Sequence, residues 1–148
     1  VLNRCIGGDN SYCLLQRLDV IVNQLTPKVV VMLIGGNNMN DCEEDIEGII
    51  LNMKSNTPDT KIIMQSMYSI CNEAWLDKIP RILELNTYFE SLCNEYDLTY
   101  VDVYSHLIDE QGNAIPEYHV EDGVHMSELG YQKITEVLQP VIMGLISE

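Results

Sequence analysis

Lys28 to Ile34 reads K-V-V-V-M-L-I, and Gly35-Gly36-Asn37-Asn38 follows at once. A half-exposed strand alternates apolar and polar residues. A continuous apolar run of strand length suits a strand covered on both faces, as in a parallel sheet. Parallel neighbours need long crossovers, usually helices. The chain has helix spacing on both sides of this run. From Ser11, apolar residues fall at Leu14, Leu15, Leu18, Ile21, Val22 and Leu25, until Thr26-Pro27 stops the pattern. Asp9 stands where it can cap that helix. Ile46, Ile49, Ile50 and Met53 mark a second helix, and Asn56 to Asp59 is a turn.

The alternation continues. Lys61 to Gln65 (K-I-I-M-Q) is a strand closed by Ser66. Met67 to Pro80 is a loop, and Ile82, Leu85, Phe89, Leu92, Cys93 and Tyr96 give an amphipathic helix. Leu98 to Val103 is a further strand, and Tyr104 to Glu121 is irregular, with a turn at Asp109 to Asn113. The last helix starts near Ser127 and runs through Leu145, with Pro140 expected to kink it or end it early. Val1-Leu2-Asn3 reads as the end of a strand, followed by a glycine-containing loop to Asn10. This order implies a mostly parallel sheet with helices on both faces, within one α/β domain over residues 1–148. Sites in such folds gather at the carboxyl ends of the strands.

Three loops at such ends carry residues suited to acyl chemistry. In Asp122-Gly123-Val124-His125, a carboxylate three residues before a histidine can accept a hydrogen bond from the imidazole and fix its tautomer. The free ring nitrogen is then a general base. Asn37 follows two glycines after a buried strand, so its amide can donate to a developing oxyanion, worth roughly 3 to 4 kcal/mol in the rate step. Gly8 can offer a backbone N–H beside a helix N-terminus. Asn38 and Asn40 suit plain turn positions with positive φ. Gly7-Gly8-Asp9 is no phosphate loop, since neither G-K-[ST] nor G-x-G-x-x-G occurs. His119, Asp122 and His125 have a spacing like that of metal ligands, but a full set with an acidic partner is not evident, so no metal or cofactor is expected.

Composition narrows the partners. The net charge of −15 repels phosphate backbones and anionic bilayers, so neither nucleic acid nor a membrane surface is expected. No apolar run approaches membrane-spanning length. Five cysteines (Cys5, Cys13, Cys42, Cys71, Cys93) without C-x-x-C suggest free thiols and a cytoplasmic setting, with Cys13 and Cys93 expected in the core. Tyr68 and Trp75 are expected as loop anchors rather than pocket walls.

These motifs together resemble the SGNH hydrolases, also called the GDSL esterase/lipase family. Asn3-Arg4-Cys5-Ile6-Gly7-Gly8-Asp9 looks like the family's second block, Gly35-Gly36-Asn37-Asn38 its third, and Asp122 to His125 its fifth, in order over nearly the whole chain. The resemblance implies a three-layer α/β/α sandwich with a flavodoxin-like sheet. It implies a serine esterase or acylhydrolase, of the bacterial type in pattern, acting on a small-molecule acyl ester. By the same resemblance His125 is the base, Asp122 its partner, and Gly8 and Asn37 the oxyanion donors.

The family's first block, G-D-S with the nucleophilic serine, has no counterpart here. The expectation is a chain lacking its first βα unit, about 20 to 30 residues, inactive as it stands and reduced in stability. Ser11, Ser66 and Ser69 sit in no strained turn suited to a nucleophile. The alternative expectation, of another class, is a non-catalytic module binding an acylated or carbohydrate ligand.

Overall fold

The structure, a computed structural model, describes residues 1–147. Its sheet has three parallel strands in sequential order: β1 (Val29–Met32), β2 (Lys61–Gln65) and β3 (Thr99–Val101). Val29 is opposite Lys61 and Met32 opposite Met64, while Ile63 is opposite Thr99 and Gln65 opposite Val101. The helices are α1 (Ser11–Leu18), α2 (Glu43–Asn56), α3 (Ile79–Tyr96) and α4 (Glu128–Ser147).

Strand β2 is central, and its period-two alternation divides the core. Ile62 and Met64 join Leu18 of α1, Ile46 and Ile49 of α2, and Leu85 and Phe89 of α3. Ile63 joins Val101, Ile134 and Leu138 on the opposite side, under α4. The expected three layers are present: α1, α2 and α3 cover one face and α4 the other. Burying each such aliphatic or aromatic side chain contributes about 1.5–3 kcal/mol, more than any local helix preference supplies.

β1 differs from a strand covered on all sides. Val30 and Met32 reach the first cluster and Val29 the second, yet Val31 is 38% exposed. Among the described residues β1 pairs only with β2, so its outer edge presents unpaired backbone groups.

Several expectations are corrected. Val1-Leu2-Asn3 forms no strand and is exposed, because no described strand lies beside it to take up its backbone hydrogen bonds. α1 ends at Leu18, and the same apolar face continues through one wide π turn, Asp19–Asn23, where the Gln24 N–H donates to the Asp19 carbonyl at 2.9 Å. The Met67–Pro80 loop contains a 3₁₀ turn, Glu73–Lys78, and Pro80 lies inside the first turn of α3, where its missing N–H costs nothing. The fourth expected strand is shorter, Thr99–Val101. Pro140 does not end α4, which runs on to Ser147. It faces solvent, where water can hydrate the Glu136 carbonyl that loses its helical partner. Cys13 is exposed on α1, whereas Cys42 and Cys93 are buried. Burial pushes both buried thiols up to about 11. No described helix is long and apolar enough to cross a membrane.

Candidate active site

The segment before α4 folds into a tight loop around one carboxylate. Oδ1 of Asp122 accepts the backbone N–H of Val124 at 2.8 Å and of His125 at 2.9 Å. Oδ2 faces Nδ1 of His125 at 2.7 Å. The backbone N–H of His125, then that of Val124, then the imidazole stabilise the charged form and hold the carboxyl down at about 2. A carboxylate only accepts, so the proton between the two side chains belongs to Nδ1. In the neutral ring Nε2 then carries the lone pair, on a side chain 79% exposed. Gly123 makes the loop possible with φ +65. Its N–H donates to the Val120 carbonyl at 2.9 Å, and Ser127 Oγ accepts the Gly130 N–H at 3.2 Å as α4 begins.

The loop rests on the segment after β2. Cys71 and Asn72 donate backbone N–H groups to the Gly123 carbonyl at 2.8 and 3.2 Å. The Asn72 side chain donates to the Asp122 carbonyl at 2.7 Å. A shallow cavity of about 490 Å³ opens here, bordered by Cys71, Asn72, Glu73, His119, Asp122 and Gly123.

The second group lies in the loops before α1 and after β1. Gly8 turns with φ +76, and the Asp9 N–H closes the turn onto the Ile6 carbonyl at 3.2 Å. The Asn37 carboxamide donates to the Asp9 carbonyl at 2.7 Å, which brings Asn37 and the Gly8 turn together. Asn38 is not a positive-φ turn residue, and neither is Asn40. Asn38 instead locks the two loops: its amide donates to Ser11 Oγ at 2.7 Å and its oxygen accepts the Ser11 N–H at 3.2 Å. Ser11 Oγ in turn donates to Asp45 of α2 at 2.7 Å. Arg81 of α3 donates two N–H groups to the Met39 carbonyl, at 3.0 and 2.7 Å, and pairs with Glu43. Asp9 does not cap α1. Asn10 does, accepting the Cys13 N–H at 2.8 Å, while the Arg17 guanidinium draws the Asp9 carboxylate into an ion pair.

The expected residues therefore form two pairs, Asp122 with His125 and Gly8 with Asn37. Both lie past the carboxyl ends of strands. Gly36 approaches Met67, beyond β2, so the two loops share one edge of the sheet. No hydrogen bond joins one pair to the other among the described residues. His119 is buried, with one ring nitrogen 3.0 Å from the Ile115 carbonyl and the other 2.8 Å from the Ser69 carbonyl, so it does not assemble with Asp122 and His125 as a metal set. The buried serines are structural. Ser66 Oγ accepts the N–H groups of Val103 and Tyr104 at 2.9 and 2.7 Å, and Ser69 Oγ donates to the Leu107 carbonyl at 3.2 Å. Tyr68 is a loop anchor as expected, accepting from Gln65 at 3.4 Å, with burial pushing its hydroxyl up to about 12. Trp75 is exposed. Sequence reasoning missed Ser11, Asn72 and Arg81, whose partners lie 27 or more residues away in the chain.

The sequence model of the GDSL-like Lipase/Acylhydrolase family matches residues 1–133. The chain is 28% identical over 162 residues to the human platelet-activating factor acetylhydrolase IB subunit alpha2, with 99% of this chain and 66% of that protein aligned. It thus spans just under two thirds of the length of that relative. A GDSL-like lipase from Bacteroides thetaiotaomicron superposes with TM-score 0.81 at 24% identity, covering 95% of this chain and 74% of that one. A catalytic mutant of an acetylxylan esterase from Geobacillus stearothermophilus superposes with TM-score 0.80 at 17% identity, covering 93% and 69%. These two likenesses establish the shared fold.

Proposed function

The chain belongs to the GDSL-like lipase/acylhydrolase family, and from that premise we propose that it is the base-bearing and oxyanion-binding part of a serine acyl-ester hydrolase. The observation that carries the reading is the 2.7 Å contact between Asp122 Oδ2 and His125 Nδ1, which leaves Nε2 open to solvent. In this reading a serine Oγ–H gives its proton to Nε2 as Oγ attacks the acyl carbonyl carbon. The Gly8 N–H and an Asn37 amide hydrogen take up the negative charge on the carbonyl oxygen. Asp122 keeps the ring oriented and stabilises the imidazolium. Collapse of the tetrahedral species expels the alcohol, which leaves with the proton from Nε2. Water then repeats the cycle on the acyl-serine and releases the carboxylic acid.

The nucleophile, in our reading, comes from sequence outside these 148 residues. The unpaired outer edge of β1 and the half-exposed Val31 are suited to receive the strand that would carry it. The substrate is a small-molecule acyl ester.

The test is expression of the chain together with the sequence encoded before Val1. The expected result is labelling by a fluorophosphonate probe and hydrolysis of p-nitrophenyl acetate. His125→Ala should lower turnover by roughly three or more orders of magnitude. Undiminished hydrolysis in His125→Ala refutes the reading. Absence of any labelling turns it toward a ligand-binding module without catalysis.

A further inference from the structure

Among the described residues Asn72 is the one side chain beyond the Asp122–His125 segment that bonds to its backbone at Asp122, and it does so from a loop the chemistry described above does not use. Its Nδ2 donates to the Asp122 carbonyl at 2.7 Å. Its Oδ1 accepts the Ala74 N–H at 2.9 Å and so caps the Glu73–Lys78 turn. Its backbone N–H reaches the Gly123 carbonyl at 3.2 Å, beside the 2.8 Å bond from Cys71. The fit is close: a Cβ placed on Gly123 would stand 2.7 Å from the Asn72 nitrogen.

We propose that Asn72 is a positioning residue, setting the Asp122–His125 pair at its working geometry from the loop after β2. The inference rests on the reading of His125 as the general base. The Asp122 carboxylate is gripped from inside its own loop by the N–H groups of Val124 and His125. Those bonds shape the loop but do not fix where it stands on the protein. The backbone bonds of Cys71 and Asn72 to the Gly123 carbonyl seat it on the segment after β2, and the Asn72 side chain completes that placement, because one carboxamide joins the Asp122 carbonyl to a capped turn that leads directly into α3. α3 is anchored in the core by Ile82, Leu85 and Phe89. A line of rigid contacts thus runs from the core to the carboxylate that orients the base. Small displacements of a base lower turnover without weakening substrate binding, since reacting groups must meet within a narrow range of distance and angle.

The two halves of the carboxamide can be separated by substitution. Asn72→Ser keeps a neutral cap acceptor for Ala74 but is too short to reach the Asp122 carbonyl. Asn72→Ala removes both. In the protein that includes its preceding sequence, Asn72→Ser should lower kcat on p-nitrophenyl acetate roughly three- to tenfold, as loss of one hydrogen bond implies. KM should stay the same, and the melting temperature should fall by no more than about 2 to 5 °C, the loss of one hydrogen bond. Asn72→Ala should show a similar kcat and a melting temperature lower still, because the cap on Ala74 is lost as well. A second readout needs no turnover. In the 148-residue chain, ¹⁵N shifts of the His125 ring should show one Nδ1–H tautomer in the parent and a mixture in Asn72→Ser. If Asn72→Ser matches the parent in both kcat and ring shifts, while Asn72→Ala falls, then Asn72 only caps its turn and the proposal is overturned. If the parent has no esterase activity, the catalytic reading fails, and the ring shifts still decide what Asn72 does.

Discussion

Gly123→Ala tests the reasoning about the Asp122–His125 loop most directly. The backbone there sits at φ +65, a left-handed conformation that costs an alanine about 1 kcal/mol. The new methyl would also stand 2.7 Å from the Asn72 nitrogen, 3.0 Å from its Cα and 3.1 Å from the Cys71 carbonyl carbon. All three are backbone atoms, so no side chain can swing aside. The loop must lift away, and the bonds from Cys71 and Asn72 to the Gly123 carbonyl, now 2.8 and 3.2 Å, lengthen or break. At about 0.5 to 1.5 kcal/mol each, with the conformational cost added, the loss is about 2 to 4 kcal/mol. For a chain of this size that is a fall of roughly 6 to 12 °C in melting temperature. Gly112→Ala is the internal control. Gly112 has φ +85 but, beyond its chain neighbours, no described atom within 4 Å of its missing Cβ, so only the conformational cost applies. Urea unfolding followed by circular dichroism, with the slope checked for constancy, measures both. Equal losses for the two variants would falsify the claim that Gly123 is fixed by close packing against the segment after β2.

Two further outcomes follow from charge and burial. The Asp122 carboxyl is held at about 2, below the ordinary carboxylate value of about 3.9. A depressed folded value means that the ordering it gives is complete above the unfolded value and is lost as pH falls through the folded one. The loop should therefore loosen between about pH 4 and pH 2, seen as faster amide exchange at Val124 and His125, and Asp122→Asn should show no such step in that window. Among the cysteines, Cys5 and Cys13 are exposed, whereas the buried Cys42 and Cys93 are pushed up to about 11. Iodoacetamide at pH 8 should label the first two within the native lifetime and the second two only after unfolding. Prompt native labelling of Cys42 contradicts its placement.

The parts of the fold legible in the sequence were those written as an unbroken apolar run or as a repeated period. The V-V-V-M-L-I run and the K-I-I-M-Q run became β1 and β2, and the spacings of Ile46 to Met53 and of Ile82 to Tyr96 became α2 and α3. Periodicity reports which face is buried, and burial of apolar surface is the dominant force that drives folding. Features that rest on a single contact were not legible. Asn10 rather than Asp9 caps α1 because Arg17, a full two turns onward, claims the Asp9 carboxylate. Asn38 reads as a turn residue until Ser11, 27 positions earlier, is found at both ends of its amide. Asp122 and His125 were readable because their bond is local, three residues apart. The clamp from Asn72, 50 residues away, leaves no trace in sequence spacing.

The two pairs of site residues are held by different parts of the core, and this has a thermodynamic consequence. Gly8 and Asn37 depend on the Asn38–Ser11–Asp45 chain between α1, the loop after β1 and α2. Asp122 and His125 depend on Cys71, Asn72 and Gly123, beyond β2. Among the described residues the two networks share no hydrogen-bond partner. Ser11→Ala removes a fully buried hydroxyl and leaves the Asp45 carboxylate and the Asn38 amide short of a partner, at about 1 to 3 kcal/mol. Energies at sites with no common partner add to within about 0.3 to 0.5 kcal/mol. The double variant Ser11→Ala with Gly123→Ala should therefore lose the sum of the single losses in urea unfolding. A coupling energy above about 1 kcal/mol would mean that the Asp122–His125 and Gly8–Asn37 pairs are held by one shared element, and that each pair is less independently built than its bonds indicate.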